Sequence, residues 1–461
     1  MKAYPQCKDS GVPWLEHVPE HWEVFRLGSQ FAERKQKVSD KDFAPLSVTK
    51  KGILPQLVTA AKSNDGDNRK KVCSGDFVIN SRSDRKGSSG VSPLTGSVSL
   101  INTVLTPLSL DGRYAHNFFR SHAFKEEFYR VGRGIVADLW STKYADMRTI
   151  MIPVPTQDEQ QQISRYLDWQ TSKINKFIKA KKKLIALLKE QKQNIIHYTI
   201  TRGLDQNVEF KPSGLEWLGD VPKHWDVIRV GNIINLTTGF PFPSAGFSQN
   251  KEDTKLLRGV NVTPSGIRWD SVVYWKRTLD DGLDHFQLRE GDIVLGMDRP
   301  IISSGVRASK IKSNDTESLL LQRVARLRPN SNVNGEFLLL LISSQMFADY
   351  MAPIFTGVSV PHLSPDQICK YKVALPPVNE QELIISHIEK ETALIDKTIA
   401  RTEREIELIQ EYRTRLVSDV VTGKVDVRSV EIPDFEPVEA ELEAQDDEES
   451  EDEPITEGID E

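Results

Sequence analysis

Only three cysteines occur in the 461 residues, and Cys7, Cys73 and Cys369 stand far apart. Without a C-x-x-C pair or a short Cys/His cluster, the sequence indicates neither a disulfide framework nor a zinc site. No run approaches the roughly 18 apolar residues of a membrane span, and residues 1–19 lack the basic-then-apolar order of a signal peptide. These absences predict a protein that stays in the cytoplasm.

The sequence motifs of common enzyme sites are also missing. The chain contains no G-x-x-x-x-G-K-[ST] loop, no G-x-G-x-x-G, no H-E-x-x-H and no G-x-S-x-G. Its Pro376-Pro377 pair is not part of the Asn/Asp-Pro-Pro-aromatic loop expected for methyl transfer to an exocyclic amine, and Asp366 has no neighbouring carboxylates and lysine of the nuclease kind. We therefore predict no catalytic residue, no metal site and no cofactor bound by this chain.

The net charge of −6 hides an uneven distribution. Residues 431–461 contain 16 acidic side chains and no basic one. Removing those 16 from the total of 66 leaves 60 Lys and Arg against 50 Asp and Glu over residues 1–430, a net charge of +10. The body of the protein is basic, which suits a polyanionic partner.

An internal repeat organises the chain. Residues 10–28 read SGVPWLEHVPEHWEVFRLG and residues 213–231 read SGLEWLGDVPKHWDVIRVG, so 11 of 19 positions are identical at an offset of 203. His21-Trp22 and His224-Trp225 lie in this segment, and we assign both pairs a structural role in closing the first turn of each domain. A duplicated unit predicts two similar domains.

Two further segments repeat in the same order. Residues 75–79 (GDFVI) match residues 291–295 (GDIVL), and residues 88–91 (SSGV) match residues 303–306. The Gly-Asp pair followed by apolar residues predicts a turn that leads into a buried strand.

The third repeated feature is a long helix in each half. Thr156 and Glu159 have the spacing of a capping box, and residues 379–382 (NEQE) offer a similar start. Neither pattern contains Gly or Pro until Gly203 or Gly423. We therefore predict two helices of about 60 Å each, at about 1.5 Å per residue.

Apolar residues recur with heptad spacing in both helices. The rows are Leu167, Ile174, Leu188 and Ile195 with Ile178 and Ile185 in the first helix, and Ile388, Ile395, Ile409 and Leu416 with Ile399 and Ile406 in the second. Lys181 and Lys192 interrupt the first set where Thr402 and Arg413 interrupt the second. Shared length, register and interruptions favour antiparallel pairing within one chain; the alternatives are a coiled coil between chains, or helices packed on their own domains.

Each globular half is predicted to be mixed α/β. We expect strands around residues 43–48, 75–80 and 97–101, and helices around 116–130 and 335–351, where aromatic and leucine side chains recur at helical spacing. These side chains are interpreted as core: Phe118, Phe119, Phe124, Phe128, Phe337, Leu341 and Phe347.

Basic and polar loops between the repeated segments are the predicted DNA-binding surfaces, because Arg and Asn match base edges while Lys more often holds phosphates. In the first half they contain Lys50, Lys51, Arg82, Arg85, Lys86, Lys143 and Tyr144. In the second half they contain Arg258, Asn261, Arg268, Arg299 and His362. The alternative for each residue is an ordinary solvated surface side chain.

The acidic tail has too little apolar content to fold on its own. It is interpreted as a solubilising segment; the competing hypothesis is that it lies on the basic body and weakens nonspecific DNA binding.

Together these motifs resemble the specificity subunits of type I restriction-modification systems. The resemblance rests on W-L-x-x-V-P-x-H-W at the start of each half, on the G-D-[FI]-V strand, on Glu159-Gln160 and Glu380-Gln381, and on the long helix that follows each Glu-Gln pair. It covers residues 10 to about 428 and leaves the acidic tail outside.

This resemblance implies a non-catalytic subunit that recognises a bipartite, asymmetric site in double-stranded DNA. Partner subunits would do the chemistry: two modification subunits that bind S-adenosylmethionine and methylate adenine N6, and restriction subunits that use ATP and Mg. The expected fold is two similar α/β target-recognition domains separated by two long antiparallel helices that form a coiled coil, with pseudo-two-fold symmetry within one chain.

The predicted boundaries follow the repeat. They give a first recognition domain over 1–155, a spacer helix over 156–205, a second recognition domain over 206–378, a second spacer helix over 379–426 and the acidic tail over 427–461. A structural scaffold that uses the helices without DNA is the main alternative, and an enzyme with unfamiliar catalytic residues is a further one.

Overall fold

The computed structural model describes residues 2–50, 52–57, 66–82, 87–134, 140–205, 207–355 and 361–436. Its internal contacts divide the chain into a first unit, Met1–Lys183 with Thr402–Glu461, and a second unit, Leu184–Arg401. Both divisions fall inside the two long helices, so each unit contains parts of both. The prediction of a mixed α/β fold is confirmed.

The first half of the chain contains thirteen short strands among its described residues. They are β1 (Cys7–Asp9), β2 (His17–Pro19), β3 (Glu23–Arg26), β4 (Phe31–Glu33), β5 (Lys37–Val38), β6 (Leu46–Thr49), β7 (Gly52–Pro55), β8 (Arg69–Val72), β9 (Phe77–Asn80), β10 (Ser89–Val91), β11 (Gly96–Val98), β12 (Asn102–Pro107) and β13 (Met151–Val154). The helices are α1 (Leu27–Gln30), α2 (Gly112–Arg120), α3 (His122–Arg130), α4 (Tyr144–Met147) and the long α5 (Gln157–Arg202).

The second half follows the same plan. Its strands are β14 (Phe210–Pro212), β15 (Asp220–Pro222), β16 (Asp226–Arg229), β17 (Ile234–Thr238), β18 (Thr254–Leu257), β19 (Val262–Thr263), β20 (Gly266–Ile267), β21 (Val273–Trp275), β22 (Ile293–Gly296), β23 (Ile301–Ile302), β24 (Gly305–Val306), β25 (Ala308–Lys310), β26 (Ser318–Leu320), β27 (Val324–Pro329) and β28 (Lys372–Leu375). The α-helices are α6 (Gly335–Ile342), α7 (Gln345–Met351), α8 (Pro365–Lys370) and the long α9 (Val378–Val421), and single 3-10 turns cover Val230–Asn232, Ser244–Gly246, Gly259–Asn261, Leu283–Phe286, Ser313–Asp315 and Ala352–Phe355.

Each half contains a four-stranded antiparallel sheet of the same order. The order is β10-β9-β12-β4 in the first and β25-β22-β27-β17 in the second. The Gly-Asp motif precedes the fully buried strands β9 and β22, as its pattern predicts. Asp76 accepts from the Nε of Arg34 at 2.7 Å, and Asp292 accepts from the Nε of Arg328 at 2.6 Å. The equivalent buried carboxylate therefore accepts from an arginine in both halves. The two arginines occupy different positions, because Arg34 follows β4 and Arg328 lies on β27.

Three sequence predictions differ from the structure in detail. The helix expected over 116–130 is two helices, because Ser121 has extended backbone and caps α3 through its hydroxyl. The helix expected over 335–351 breaks in the same way at Ser344, which caps α7. The strand expected over 97–101 ends at Val98, and a turn leads into β12. The apolar spacing predicts the helical segments correctly in both places, but it does not predict the break, where a serine caps the second helix.

The aromatic side chains predicted as core are buried. Phe118, Phe119, Phe124 and Phe128 are each at most 1% exposed, and their rings contact one another in sequence at 4.7 to 6.1 Å between centroids. Phe337, Leu341 and Phe347 are equally buried in the second unit. No single helix among the described residues is long and apolar enough to cross a membrane. One bent pair, α6 with Gln345–Phe355 at 50°, has the length and composition for it, and seven of its side chains are buried in the core of the second unit.

The two long helices pair antiparallel inside each unit. In the first unit Lys181 donates to Glu405 at 2.7 Å, and Arg413 donates to Asn175 at 3.2 Å. In the second unit Lys192 donates to Asp396 at 2.6 Å. The predicted heptad residues are all buried or half-buried, so pairing within one chain is confirmed. Three of the four polar interruptions make the cross-helix contacts, since a long cationic side chain at the seam can reach an acceptor on the facing helix.

The start of each long helix is bound by the repeated His-Trp segment. Glu159 accepts hydrogen bonds from Tyr4 (2.6 Å), His21 (2.8 Å) and Trp22 (2.9 Å). The prediction that Glu159 completes a capping box is therefore wrong: its carboxylate binds the domain instead. Burial, and then the bond to Glu159, raise the pKa of Tyr4 well above its usual value, which keeps Tyr4 a donor.

The second unit repeats this arrangement. Glu380 accepts from His224 at 2.9 Å and from Trp225 at 3.1 Å. The structural role predicted for both His-Trp pairs agrees with these contacts. The following glutamine also repeats, since Gln160 accepts from the N–H of Asp111, the cap of α2, and Gln381 accepts from the N–H of Asn334, the cap of α6.

The end of the other long helix meets the same tryptophan. Gly423, at φ +81°, lies against Trp22, and Gly203, at φ +73°, lies against Trp225; a Cβ at either glycine would be 3.1 Å from the indole. Glycine is required at both places, because the left-handed turn and the close ring each disfavour a side chain. Each globular half is thus fastened to the start of one long helix and to the end of the other.

Candidate nucleic-acid interface

Basic side chains of the first unit converge on a concavity of about 380 Å³. It is lined by Arg82, Lys143 and Tyr144, which were predicted from the sequence, and by Lys70 and Glu33, which were not. Among these residues Arg82 and Lys143 are exposed. A concavity with three cations and one carboxylate suits an anionic ligand.

Backbone pairing brings these residues together. Arg82 follows β9, and its backbone forms an isolated β-bridge with Ser141. Ser141 forms a second β-bridge with Arg133. Lys143 then precedes α4, and the Tyr144 hydroxyl donates to the carbonyl of Phe31 at 2.9 Å. Tyr144 therefore anchors the loop, while Lys143 and Arg82 extend from it.

Lys70 is held more firmly than the other two cations. Its ammonium donates to the carbonyl of Asn102 at 2.8 Å and lies 3.5 Å from Glu33. The sequence signal for it is the basic run Arg69-Lys70-Lys71, which sequence reasoning passed over. Arg133, 83% exposed and 3.0 Å from Asp146, is a second residue that sequence reasoning missed.

Lys50 lies at another loop of the first unit, between β6 and β7. Its side chain is exposed, and its carbonyl accepts from Arg120. Arg120 also lies 3.1 Å from the ring of His116, whose other nitrogen faces the N–H of Val91. Burial, and then the Arg120 charge, lower the pKa of His116 from 6.5 to about 4. Lys51, Arg85 and Lys86 lie outside the described residues.

In the second unit, the first group of predicted residues forms a compact loop. Asn261 is 2% exposed, and its amide accepts from the N–H of Arg258 at 3.0 Å and donates to the carbonyl of Arg268 at 2.9 Å. The Arg258 guanidinium donates to the carbonyl of Ser271 at 2.5 Å. This geometry gives Asn261 the task of shaping the loop and does not support a contact with a base, whereas Arg268 remains exposed.

The second group surrounds Asp298. The ring of His362 lies 2.5 Å from one carboxylate oxygen, and Arg323 donates to the other at 2.8 Å. Arg299 follows directly, with φ +44°, and its N–H donates to the carbonyl of Pro361 at 2.8 Å. Arg323 also has a positive φ, at +66°, so both arginines of this group have a backbone conformation that non-glycine residues rarely adopt.

Arg307 joins the two groups. Its guanidinium donates to the carbonyls of Gly259 and, at 3.2 Å, of Val262, and it lies 3.4 Å from the carbonyl of Asp298. The signal for Arg307 is its place directly after the repeated S-S-G-V segment. Arg323 has no such signal, because only the folded strands bring it to Asp298.

Within the described residues, no three His, Cys, Asp or Glu side chains are placed to hold a metal ion. Among the residues predicted from the sequence, Arg82, Lys143 and Arg268 are exposed cations, and such side chains suit phosphate and base-edge acceptors.

Comparisons with known proteins add to this geometry. Residues 222–409 match the family model described as "Type I restriction modification DNA specificity domain". The chain is 25% identical over 427 residues to the type I restriction enzyme MjaVIII specificity subunit of Methanocaldococcus jannaschii, covering 90% of this chain and 95% of that one. It is 32% identical over 192 residues to the EcoAI specificity subunit of Escherichia coli, covering 41% of this chain and 32% of that one.

A solved structure has the same fold. One of its chains, from work described as the structural basis of complex assembly and conformational transition of the type I restriction-modification system, superimposes with a TM-score of 0.63 at 12% identity. The superposition covers 88% of this chain and 99% of that one.

Proposed function

Because the comparisons match this chain to specificity subunits of type I restriction-modification systems, we propose that its two recognition domains each read one half of a bipartite, asymmetric site in double-stranded DNA. The observation that carries this proposal is the duplicated unit: each copy brings arginine, lysine or histidine side chains from separate loops to one place. The two copies differ in these residues, so the two half-sites differ.

The long helices set the number of unspecified bases between the halves. Support comes from the way each domain is fastened, because the buried Glu159 binds three side chains of its domain and limits rotation at the helix start. A rigid connection raises the effective concentration at the second half-site and penalises the wrong spacing.

Two modification subunits dock on these helices, bind S-adenosylmethionine and methylate adenine N6. The helices carry exposed apolar side chains that the pairing leaves uncovered: Phe177, Leu187, Tyr198, Leu383, Leu394 and Leu408. In the second unit a groove of about 630 Å³ lies along them, lined by Leu187, Tyr198 and His387 among others. Charge reversal on residues 173–192 or 397–415 should disrupt assembly, and unchanged assembly would contradict this docking site.

The chemistry belongs to the partners. The flipped base lies in the modification subunit, and restriction subunits use ATP and Mg for cleavage. We place this assembly in the cytoplasm, where it meets the DNA that it marks.

The test is to express the chain with a modification subunit from the same genome and to sequence the methylated bases of the host DNA. Adenine methylation at one split motif is the expected result, together with DNA binding by the purified complex. No new methylated motif and no DNA affinity in any combination would favour the scaffold alternative.

A further inference from the structure

The chain after α9 turns back and follows the first helix. The backbone of Asp426 pairs with that of Lys2 in an isolated antiparallel β-bridge. Gln162 on α5 donates to the carbonyls of Val427 at 3.0 Å and Val430 at 2.8 Å. Ten residues further along α5, Ser172 donates to the carbonyl of Glu436 at 3.1 Å. The described C-terminal segment therefore lies on α5 and runs in the direction of that helix, toward residue 183.

A lysine stripe continues the line from Ser172. Lys176, Lys179 and Lys183 are four, seven and eleven residues beyond it, so they share its face of the helix. Lys173 lies beside them, 4.6 Å above the ring of Trp169. All four lysines are exposed. We call Lys173, Lys176, Lys179 and Lys183 the lysine stripe.

The rest of the chain has the opposite charge and sufficient length. Residues 437–461 contain 13 acidic side chains and no basic one. At about 3.3 Å per extended residue these 25 residues span up to about 80 Å. The stripe needs about 16 Å, at 1.5 Å of helix rise per residue.

We propose that residues 437–461 bind the lysine stripe of the same chain. Glu436 delivers the acidic segment to the first lysine, which makes the binding intramolecular and gives it a high effective concentration. Repeated carboxylate–ammonium pairs at an exposed helix face are weak singly and sensitive to salt, so the bound tail is displaceable.

The role of this contact rests on the proposed function: the bound tail affects how the protein binds DNA. An exposed row of lysines attracts the phosphates of any duplex, independently of sequence. The bound tail occupies that row and lowers nonspecific DNA binding, while the recognition loops of both domains stay accessible.

The docking itself is tested without DNA. Carbodiimide treatment of the full chain joins a carboxylate to an amine that it contacts, and mass spectrometry identifies the pairs. We expect links from residues 439–453 to the lysine stripe, lost at about 0.5 M salt and in the K176E/K183E variant. The control variant K189E changes an exposed lysine of α5 outside the stripe and should keep them. Links spread over lysines elsewhere, or formed between two chains in dilute solution, overturn the proposal.

The consequence is tested with a nonspecific duplex. Truncation after Glu436 keeps the segment that contacts Gln162 and Ser172. We expect it to raise nonspecific affinity by about tenfold at low salt, and to have little effect when K176E/K183E is already present. Affinity unchanged by the truncation overturns the competition with DNA. Failure of the methylation experiment would leave the crosslinking result intact, so the two proposals fail separately.

Discussion

Trp22 donates its indole N–H to the carboxylate of Glu159 at 2.9 Å, and this bond connects the first turn of a domain to the first turn of a 46-residue helix. Trp225 and Glu380 repeat it at 3.1 Å. The Glu159 side chain is 3% exposed and that of Glu380 is 23% exposed. Water therefore reaches the contact between Trp225 and Glu380 more easily than the contact between Trp22 and Glu159.

Replacing Glu159 with Gln should destabilise the protein. In the glutamine, one carboxylate oxygen is replaced by an N–H₂ group, so the side chains that donate hydrogen bonds to Glu159 lose one acceptor. A buried hydrogen-bonding group without a partner costs about 1–3 kcal/mol. The matched variant Glu380→Gln should cost less, since water reaches that site. Urea unfolding of both variants measures the difference, and equal losses would contradict the importance of burial.

Acid should weaken the first unit through His116. Its pKa is about 4 in the folded protein against 6.5 when exposed, so the unfolded chain binds more protons between these values. The stability is complete above about pH 6.5 and decreases as the pH falls toward 4, by roughly 1–3 kcal/mol. In His116→Gln this part of the decrease should disappear, as measured by unfolding at several pH values; an identical pH profile would refute the assignment.

Arg82 and Lys143 should contribute to DNA affinity through phosphates. The double variant R82A/K143A should weaken binding severalfold for all sequences and reduce the slope of log K against log salt by about one per lost contact. Lys8→Ala, an exposed lysine on β1, serves as the control. A salt slope equal to that of the unchanged protein would remove both residues from the interface.

Arg299 should contribute to the choice of one half-site. Glycine accepts φ +44° without strain, so Arg299→Gly removes the side chain and keeps the loop. We expect relaxed recognition at one position of one half-site, worth about 1–3 kcal/mol, with the other half unchanged. Sequencing of methylated DNA reads both halves at once, and an unaltered motif would contradict a base contact.

The Lys181–Glu405 pair should report on helix register. Lys181→Glu places two carboxylates together and lowers stability, and adding Glu405→Lys restores the pair in reverse. A double-mutant cycle should give a coupling of about 0.5–1 kcal/mol, the usual size for a partly exposed pair. Zero coupling would mean that the contact adds nothing to the antiparallel register.

The sequence by itself determined the duplication, the mixed α/β class, the two long helices and their pairing. These features follow from patterns that recur along the chain: an identical segment at an offset of 203, a buried Gly-Asp strand, and heptads with matching interruptions. Periodicity is local information, so it survives without coordinates.

The tertiary structure alone decided which side chains meet. Glu159 has a cap spacing in the sequence, yet its partners are Tyr4, His21 and Trp22, about 140 to 155 residues away. Asn261 has the chemistry of a base-reading side chain, but it is buried and bonded within its own loop. Arg323 reaches Asp298 through strand pairing. Hydrogen-bond partners depend on distances in space, and a single sequence specifies those only after the chain has folded.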